Sequence, residues 1–244
     1  MSVPETAEGS VLRACPSALP IDITTLSPPG GLVIISPHPD DETLGCGQAL
    51  SAAARIGREI LLVLLTDGEA FAPGRKEHER NRLAARRLDE LSSALAILAP
   101  GKRIRIERAR LPDGQSEPGR LSPERFEELF NAARGIKAAA IWATWRGDPH
   151  CDHQTASMIG RRFAERLDVP MWSYPVWGRF GERSHPAAPL LFSDRRAAQR
   201  KRSAIQCYRS QLHQWPGRRP GDFTLPPELV EHFASHPEIF FGER

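Results

Sequence analysis

Hydrophobic and polar positions change their period along this chain, and each change marks an element. Leu32-Val33-Ile34-Ile35 and Ile60-Leu61-Leu62-Val63-Leu64-Leu65 are unbroken apolar runs, as strands covered on both faces require. They predict strands over 31–36 and 59–66. Between them, the Ala-rich stretch 43–57 reads as a helix stopped near Gly57. In 76–98, Leu88, Leu91, Leu95 and Leu98 recur at three and four, the period of an amphipathic helix, and Pro100-Gly101 ends it. Residues 103–108 alternate apolar and charged, as an edge or half-buried strand does. Ser122 suits the cap of a helix over 123–134, with proline at the tolerated first position. A strand is expected over 138–144. Asp152 then suits the cap of a helix over 153–167, where Ala156, Ile159, Phe163 and Leu167 share one face. The remaining expectations are a strand over 169–177, a loop over 178–189, a basic helix over 194–212 and a short helix near 227–234. Residues 1–30 hold several Pro and Gly and read as a lead-in segment; residues 31–244 read as one domain.

Strands alternating with helices imply right-handed crossovers and a mostly parallel sheet, hence a three-layer, Rossmann-like α/β domain. Ligands of such sheets sit beyond the carboxyl ends of the strands. Three polar clusters fall there. Ser36-Pro37-His38-Pro39-Asp40-Asp41-Glu42 follows the first strand, Thr66-Asp67-Gly68-Glu69 the second, and Trp145-Arg146-Gly147-Asp148-Pro149-His150-Cys151-Asp152-His153 the strand over 138–144. Their convergence on one rim is the first functional expectation.

Composition removes several classes. The 244 residues are 40% hydrophobic and 26% charged, an ordinary globular balance. A net charge of +3 does not argue for nucleic acid. No apolar run approaches the roughly 20 residues of a membrane span, and Met1-Ser2-Val3-Pro4-Glu5-Thr6 lacks the order of a secretory signal. None of the four cysteines sits in a CxxC pair, so a reduced, cytoplasmic setting is the simplest reading. Gly45-Cys46-Gly47 lacks the third glycine of a dinucleotide fingerprint.

Three carboxylates in a row, Asp40-Asp41-Glu42, call for a positive partner. His38 and Asp41 are three apart and face the same way if the chain turns helically after Pro39; His150 and His153 repeat that spacing. Imidazole plus carboxylate is a common zinc shell, and a catalytic zinc keeps one position open for water. The set chosen is His38, Asp41 and His153, one zinc per chain, with Asp40 left over as a base. The bland readings stand beside it. Asp40-Asp41-Glu42 suits the acidic first turn of any helix, Asp152 a cap, and His150 an exposed loop. The conjunction of two His/Asp clusters, each after a strand and each opening a helix, favours the metal.

At these residues the chain resembles the PIG-L/LmbE family of zinc-dependent N-deacetylases. His38-Pro39-Asp40-Asp41-Glu42 matches the family's first signature and His150-Cys151-Asp152-His153 its second. Thr66-Asp67-Gly68-Glu69, Arg87-Leu88-Asp89-Glu90-Leu91 and Leu111-Pro112-Asp113-Gly114 match weaker features, so the resemblance covers about 31–167. It implies that His38, Asp41 and His153 bind zinc and that Asp40 is the general base. It also implies that His150 polarises the amide carbonyl or protonates the leaving amine, and that Asp152 orients His150 or the neighbouring shell. Glu69, Arg87 and Asp113 occupy sugar-contact positions; their bland readings are an exposed turn residue, an Arg87–Glu90 helix pair and a Pro-Asp-Gly turn. Where some members carry a gating Tyr, this chain has Asp148. Trp145 and Trp177, at strand ends, are candidate sugar platforms, though core packing is the commoner fate of Trp.

The implied reaction is removal of acetyl from an N-acetylglucosamine-type amino sugar or its conjugate. Cleavage of another amide, such as a thiol conjugate, is the enzymatic rival; a non-catalytic anion-binding module is the rival from another class. The expected partner is a small N-acetylated sugar or conjugate, with no nucleic acid and no membrane span. A homo-oligomer stays open. The basic run from Asp194 to Arg202 reads first as a solvated helix face, second as a surface for an anionic sugar conjugate.

Overall fold

The structure, a computed structural model, describes residues 9–184, 188–212, 215 and 217–243. In chain order the elements are α1 (Ser10–Ala14), β1 (Leu19–Pro20), α2 (Ile23–Leu26), β2 (Gly31–Ser36), α3 (Asp41–Arg55), β3 (Ile60–Leu64), α4 (Glu77–Leu98), β4 (Arg105–Arg108), α5 (Pro123–Gly135), β5 (Ala138–Thr144), α6 (Cys151–Leu167), β6 (Met171–Tyr174), β7 (Leu190–Phe192), α7 (Arg195–Ile205), α8 (Pro227–Ser235) and β8 (Glu238–Glu243). Among the described residues the strands form one sheet in the order β1-β7-β8-β6-β5-β2-β3-β4. From β6 to β4 every neighbour runs parallel, and β8 is antiparallel to both β6 and β7. The fold is therefore mixed α/β with a mostly parallel central sheet. Among the described residues, no helix is long and apolar enough to cross a membrane.

The unbroken apolar runs follow from this topology. Side chains alternate faces along a strand. Leu32 and Ile34 of β2 enter one core with helices α3 and α4; Val33 and Ile35 enter the other with α5 and α6. A central strand needs apolar residues at both parities because both of its faces are covered.

Several expected boundaries move, each for a local reason. β6 is shorter than the strand expected over 169–177, because Pro170 and Pro175 bracket it and the chain turns into a 3-10 segment at Trp177–Arg179. α6 starts at Cys151 with His150 as its N-cap, not Asp152. The Asp152 carboxylate instead accepts from Gly114 N, Ser116 N and Ser116 Oγ, so His150 Nδ1 takes the Asp152 N–H. β7 and β8 were not expected; their apolar runs of three residues carry too little period to read. Residues 10–26, within the expected lead-in, hold α1, β1 and α2, with Val11 and Leu26 fully buried. His185 of the 178–189 loop lies outside the described residues.

The basic helix departs most from expectation. It ends at Ile205, and Lys201 on it is fully buried. The cause lies in α3, which breaks at Cys46 (φ −139°, ψ 23°). The break frees backbone groups, which must find partners when buried. Lys201 Nζ donates to Leu44 O (2.7 Å), Arg179 Nη2 to Gly45 O (3.3 Å), and Glu238 accepts from Gln48 N (2.6 Å) and Ala49 N (2.8 Å). Lys201 and Glu238 pair with each other at 2.7 Å. Arg195, Arg196 and Arg202 remain exposed. Removing one member of a buried pair strands the other, so Lys201→Met should cost about 3–5 kcal/mol in urea unfolding. A loss below about 1 kcal/mol, the scale of an exposed pair, would deny the pair its structural role.

Candidate active site

The three polar clusters meet at the carboxyl ends of β2, β3 and β5. Pro39 precedes a sharp turn in which Asp40 takes φ 138°, a conformation L-residues rarely adopt. Such outliers persist only where the surroundings enforce them, and they concentrate at functional sites. Arg87 of α4 supplies the enforcement. Its Nη2 donates to Pro39 O (2.7 Å) and to Asp40 Oδ2 (3.0 Å), and its Nη1 to Gly68 O (2.8 Å). Gly68 stands at φ 67°, and any side chain there would collide with the guanidinium. Glu90 does not pair with Arg87; it accepts from Ser210 N and Oγ. Glu42 turns inward to Ser36, Thr43 and Tyr208.

Asp41, first in α3, sits among imidazoles. Its Oδ2 lies 2.9 Å from His38 Nδ1 and 3.2 Å from His153 Nε2. His38 Nε2 faces Asp152 (3.0 Å) and Asp113 (3.1 Å). The Asp152 carboxylate is 3.9 Å from His150 Nδ1, so its closer imidazole is His38. His153 Nδ1 pairs with Asp148 Oδ2 at 2.7 Å. Asp148 is fully buried and also accepts from Val176 N (3.1 Å) and Gly178 N. In the sequence Asp148 stands out only as a departure from a Tyr; a lone Asp in a Gly-Asp-Pro turn carries no signal of that contact.

Two triads bring one ligand atom each to within 4.8 Å of one another: His38, Asp41 and His153, and His38, His150 and Asp152. Hydrogen bonding separates them. Both Asp152 oxygens already accept backbone or hydroxyl protons. His153 Nε2 is buried and makes no well-aligned hydrogen bond, lying 3.2 Å from Asp41 Oδ2, while its other nitrogen is held by the Asp148 carboxylate. An orphaned imidazole nitrogen next to a carboxylate, with its far side oriented by a second carboxylate, is the arrangement of a metal-ligating histidine. The residues therefore fit a divalent cation at His38, Asp41 and His153.

The local charge points the same way. Burial alone would push the His153 imidazolium down, but Asp41 and Asp148 outweigh it and hold its pKa at about 9. The pocket asks for positive charge there. Burial would raise Asp41, yet His153 and His38 keep it well below the usual carboxylate range. Asp40 behaves oppositely. Burial lifts its carboxyl to about 7, with Arg87 pulling it back and Asp41 pushing it further up. His150 falls to about 4 through burial and the nearby His38 and His153. With Nδ1 accepting from Asp152 N, its neutral ring carries the proton on Nε2.

These groups open into a cavity of about 480 Å³. His38, Asp40, Asp41, Arg87, Asp113 and His150 line it. Asp113 also accepts from Ala70 N at 2.6 Å. Glu69 does not line it, and its Oε2 is buried without a partner. Trp177 borders the cavity, whereas Trp145 packs on Phe241 in a satellite core.

The family profile described as PIG-L, GlcNAc-PI de-N-acetylase, matches residues 33–164, the stretch that carries both triads, Asp40, Arg87, Asp113 and Asp148. The chain belongs to the PIG-L family. No curated protein matches it by sequence. Among solved structures it is similar to a conserved protein of Thermus thermophilus, at 24% identity and TM-score 0.62, covering 88% of this chain and 95% of that one. It is similar to the N,N'-diacetylchitobiose deacetylase of Pyrococcus horikoshii, at 18% identity and TM-score 0.65, covering 91% and 87%. It is also similar to the 4-carboxy-2-hydroxymuconate hydratase of Pseudomonas putida, at 18% and 0.59, covering 84% and 82%. A deacetylase and a hydratase thus share this PIG-L-like fold, so activity must be argued from the site.

Proposed function

We propose that this PIG-L protein is a zinc-dependent hydrolase that removes acetyl from an N-acetylglucosamine-type amino sugar or its conjugate. The observation that carries the reading is the buried His153 Nε2, without a well-aligned hydrogen bond, converging with Asp41 and His38, with Asp40 adjacent and its pKa near neutral. His38, Asp41 and His153 would hold the zinc, which when bound supplies Lewis acidity that acidifies water and polarises a carbonyl.

The chain's own groups do the rest. Asp40, near pKa 7, accepts a proton from the attacking water and keeps its place through Arg87. Neutral His150 lines the cavity with its Nδ1 engaged by Asp152 N, and its Nε2–H would be the donor that stabilises charge developing on the amide oxygen. The proton held by Asp40 then serves the departing amine. Asp152 orients His38 rather than reacting, and Asp148 sets the tautomer of His153. Asp113 and Arg87 border the substrate side, and Glu69 lies outside the cavity. A cytoplasmic setting is part of the proposal, supported by four free thiols at Cys15, Cys46, Cys151 and Cys207.

Zinc-loaded protein should release a primary amine and acetate from N-acetylated glucosamine derivatives. Amine release from a thiol-conjugate amide with none from the acetylated sugars would move the substrate class. No hydrolysis of either, at full zinc occupancy, would contradict the reading.

A further inference from the structure

We infer that the cavity's outer wall is a subsite for an uncharged, apolar aglycone on the amino sugar, and that it selects against phosphorylated conjugates. The inference rests on the deacetylase reading and adds the substrate's second half.

Three aromatic side chains build the wall beside His38 and His150. Phe71 comes from the turn after β3, Trp177 from the 3-10 segment after β6, and Phe223 from the segment before α8. Phe223 N donates to Phe71 O at 2.9 Å, joining two segments far apart in sequence. Trp177 meets Phe223 edge to face, centroids 5.9 Å apart at 84°. The Arg75–Asp222 ion pair ties the loop after Phe71 to the residue before Phe223, and Arg219–Glu79 (2.5 Å) ties that segment to the start of α4. Phe71 and Phe223 keep partial exposure, so apolar surface faces the cavity. A volume of about 480 Å³ lies within the range of about 300–1,000 Å³ that encloses a whole small ligand, well beyond an acetamide group.

The charge of the lining excludes the alternative. Among the described residues, Arg87 is the single arginine or lysine bordering the cavity. Its terminal nitrogens are held by Asp40, Pro39 and Gly68, and its Nε, which has no hydrogen-bond partner, is buried out of a ligand's reach. The carboxylates that border it, Asp40, Asp41, Asp113 and Asp222, already hold the basic groups nearby: Arg87, His38 with His153, His38, and Arg75 respectively. A phosphate at this wall would find no uncommitted guanidinium or ammonium to receive it, and a ligand charge left unpaired selects against that ligand. The exposed arginines of α7 do not border this cavity.

The test is calorimetric binding to the zinc-loaded full chain, with amine release followed in parallel. The probes are N-acetylglucosamine, its 4-nitrophenyl glycoside and its 1-phosphate. The glycoside should bind about tenfold more tightly than the free sugar, the scale of added aromatic contact and apolar burial, and the phosphate more weakly than the free sugar. Phe223→Ala should bring the ratio of glycoside to free-sugar affinity toward one. Phosphate binding as tight as that of the free sugar, or a glycoside with no advantage in the unaltered protein, overturns the inference. The expected affinity order without amine release would keep the subsite and remove the deacetylase reading. Amine release with the phosphate favoured would do the reverse.

Discussion

Asp40→Asn lowers kcat by about 10²–10⁴, the usual contribution of a positioned general base, and leaves the zinc in place. The substitution isolates one function. Asparagine has the same shape, so Arg87 Nη2 still finds an oxygen, and it tolerates unusual φ better than most residues. What disappears is a carboxylate able to take a proton near neutral pH. Zinc content unchanged with turnover lost is the expected pair of results. Arg87→Met gives a useful companion, because it removes the guanidinium while leaving the base: the Asp40 turn loses its enforcement at φ 138°. Full turnover in the Asp40→Asn protein would take proton transfer away from this residue.

His153→Ala has the other large effect, through binding rather than chemistry. It removes the imidazole whose Nε2 sits 3.2 Å from Asp41 and whose Nδ1 is held by Asp148. Losing an outer hydrogen-bond partner of a metal ligand costs roughly 10–100-fold in affinity, and loss of the ligand itself should exceed that. Activity should vanish with the metal and not return at micromolar zinc. A second consequence is independent of metal. Asp41 and Asp148 are both buried, and without His153 they lose the positive charge between them. Metal-free His153→Ala should therefore unfold at lower denaturant than the metal-free parent, by about 3–5 kcal/mol if stranding of buried charge dominates. Equal stability of the two metal-free proteins would deny His153 a role in offsetting the buried carboxylates.

What the sequence disclosed, and what it withheld, divides by distance along the chain. β2, β3 and β5 were legible because central strands of a parallel sheet need apolar residues at both parities, in runs too short for a buried helix. His38–Asp41 and His150–His153 were legible because each pair is three residues apart, so local geometry alone brings them together. Asp148 was not, since its value comes from burial and from the contact with His153. The Lys201–Glu238 pair was hidden for a related reason. Its members are 37 residues apart, and Lys201 lies in a basic run that looks like a solvated face. Only the break at Cys46 creates the carbonyl and amide groups that draw a lysine and a glutamate inward. The aromatic wall joins residues near 71, 177 and 223, a conjunction that no spacing in the chain announces.

Zinc bound per chain, measured by elemental analysis after dialysis against metal-free buffer, tests the central claim most directly. About one equivalent is expected in the parent and in Asp40→Asn, the stoichiometry of a three-ligand catalytic site, with almost none in His38→Ala, Asp41→Ala or His153→Ala. A parent protein that takes up no metal when zinc is supplied, or an Asp41→Ala protein that keeps its full equivalent, would contradict it.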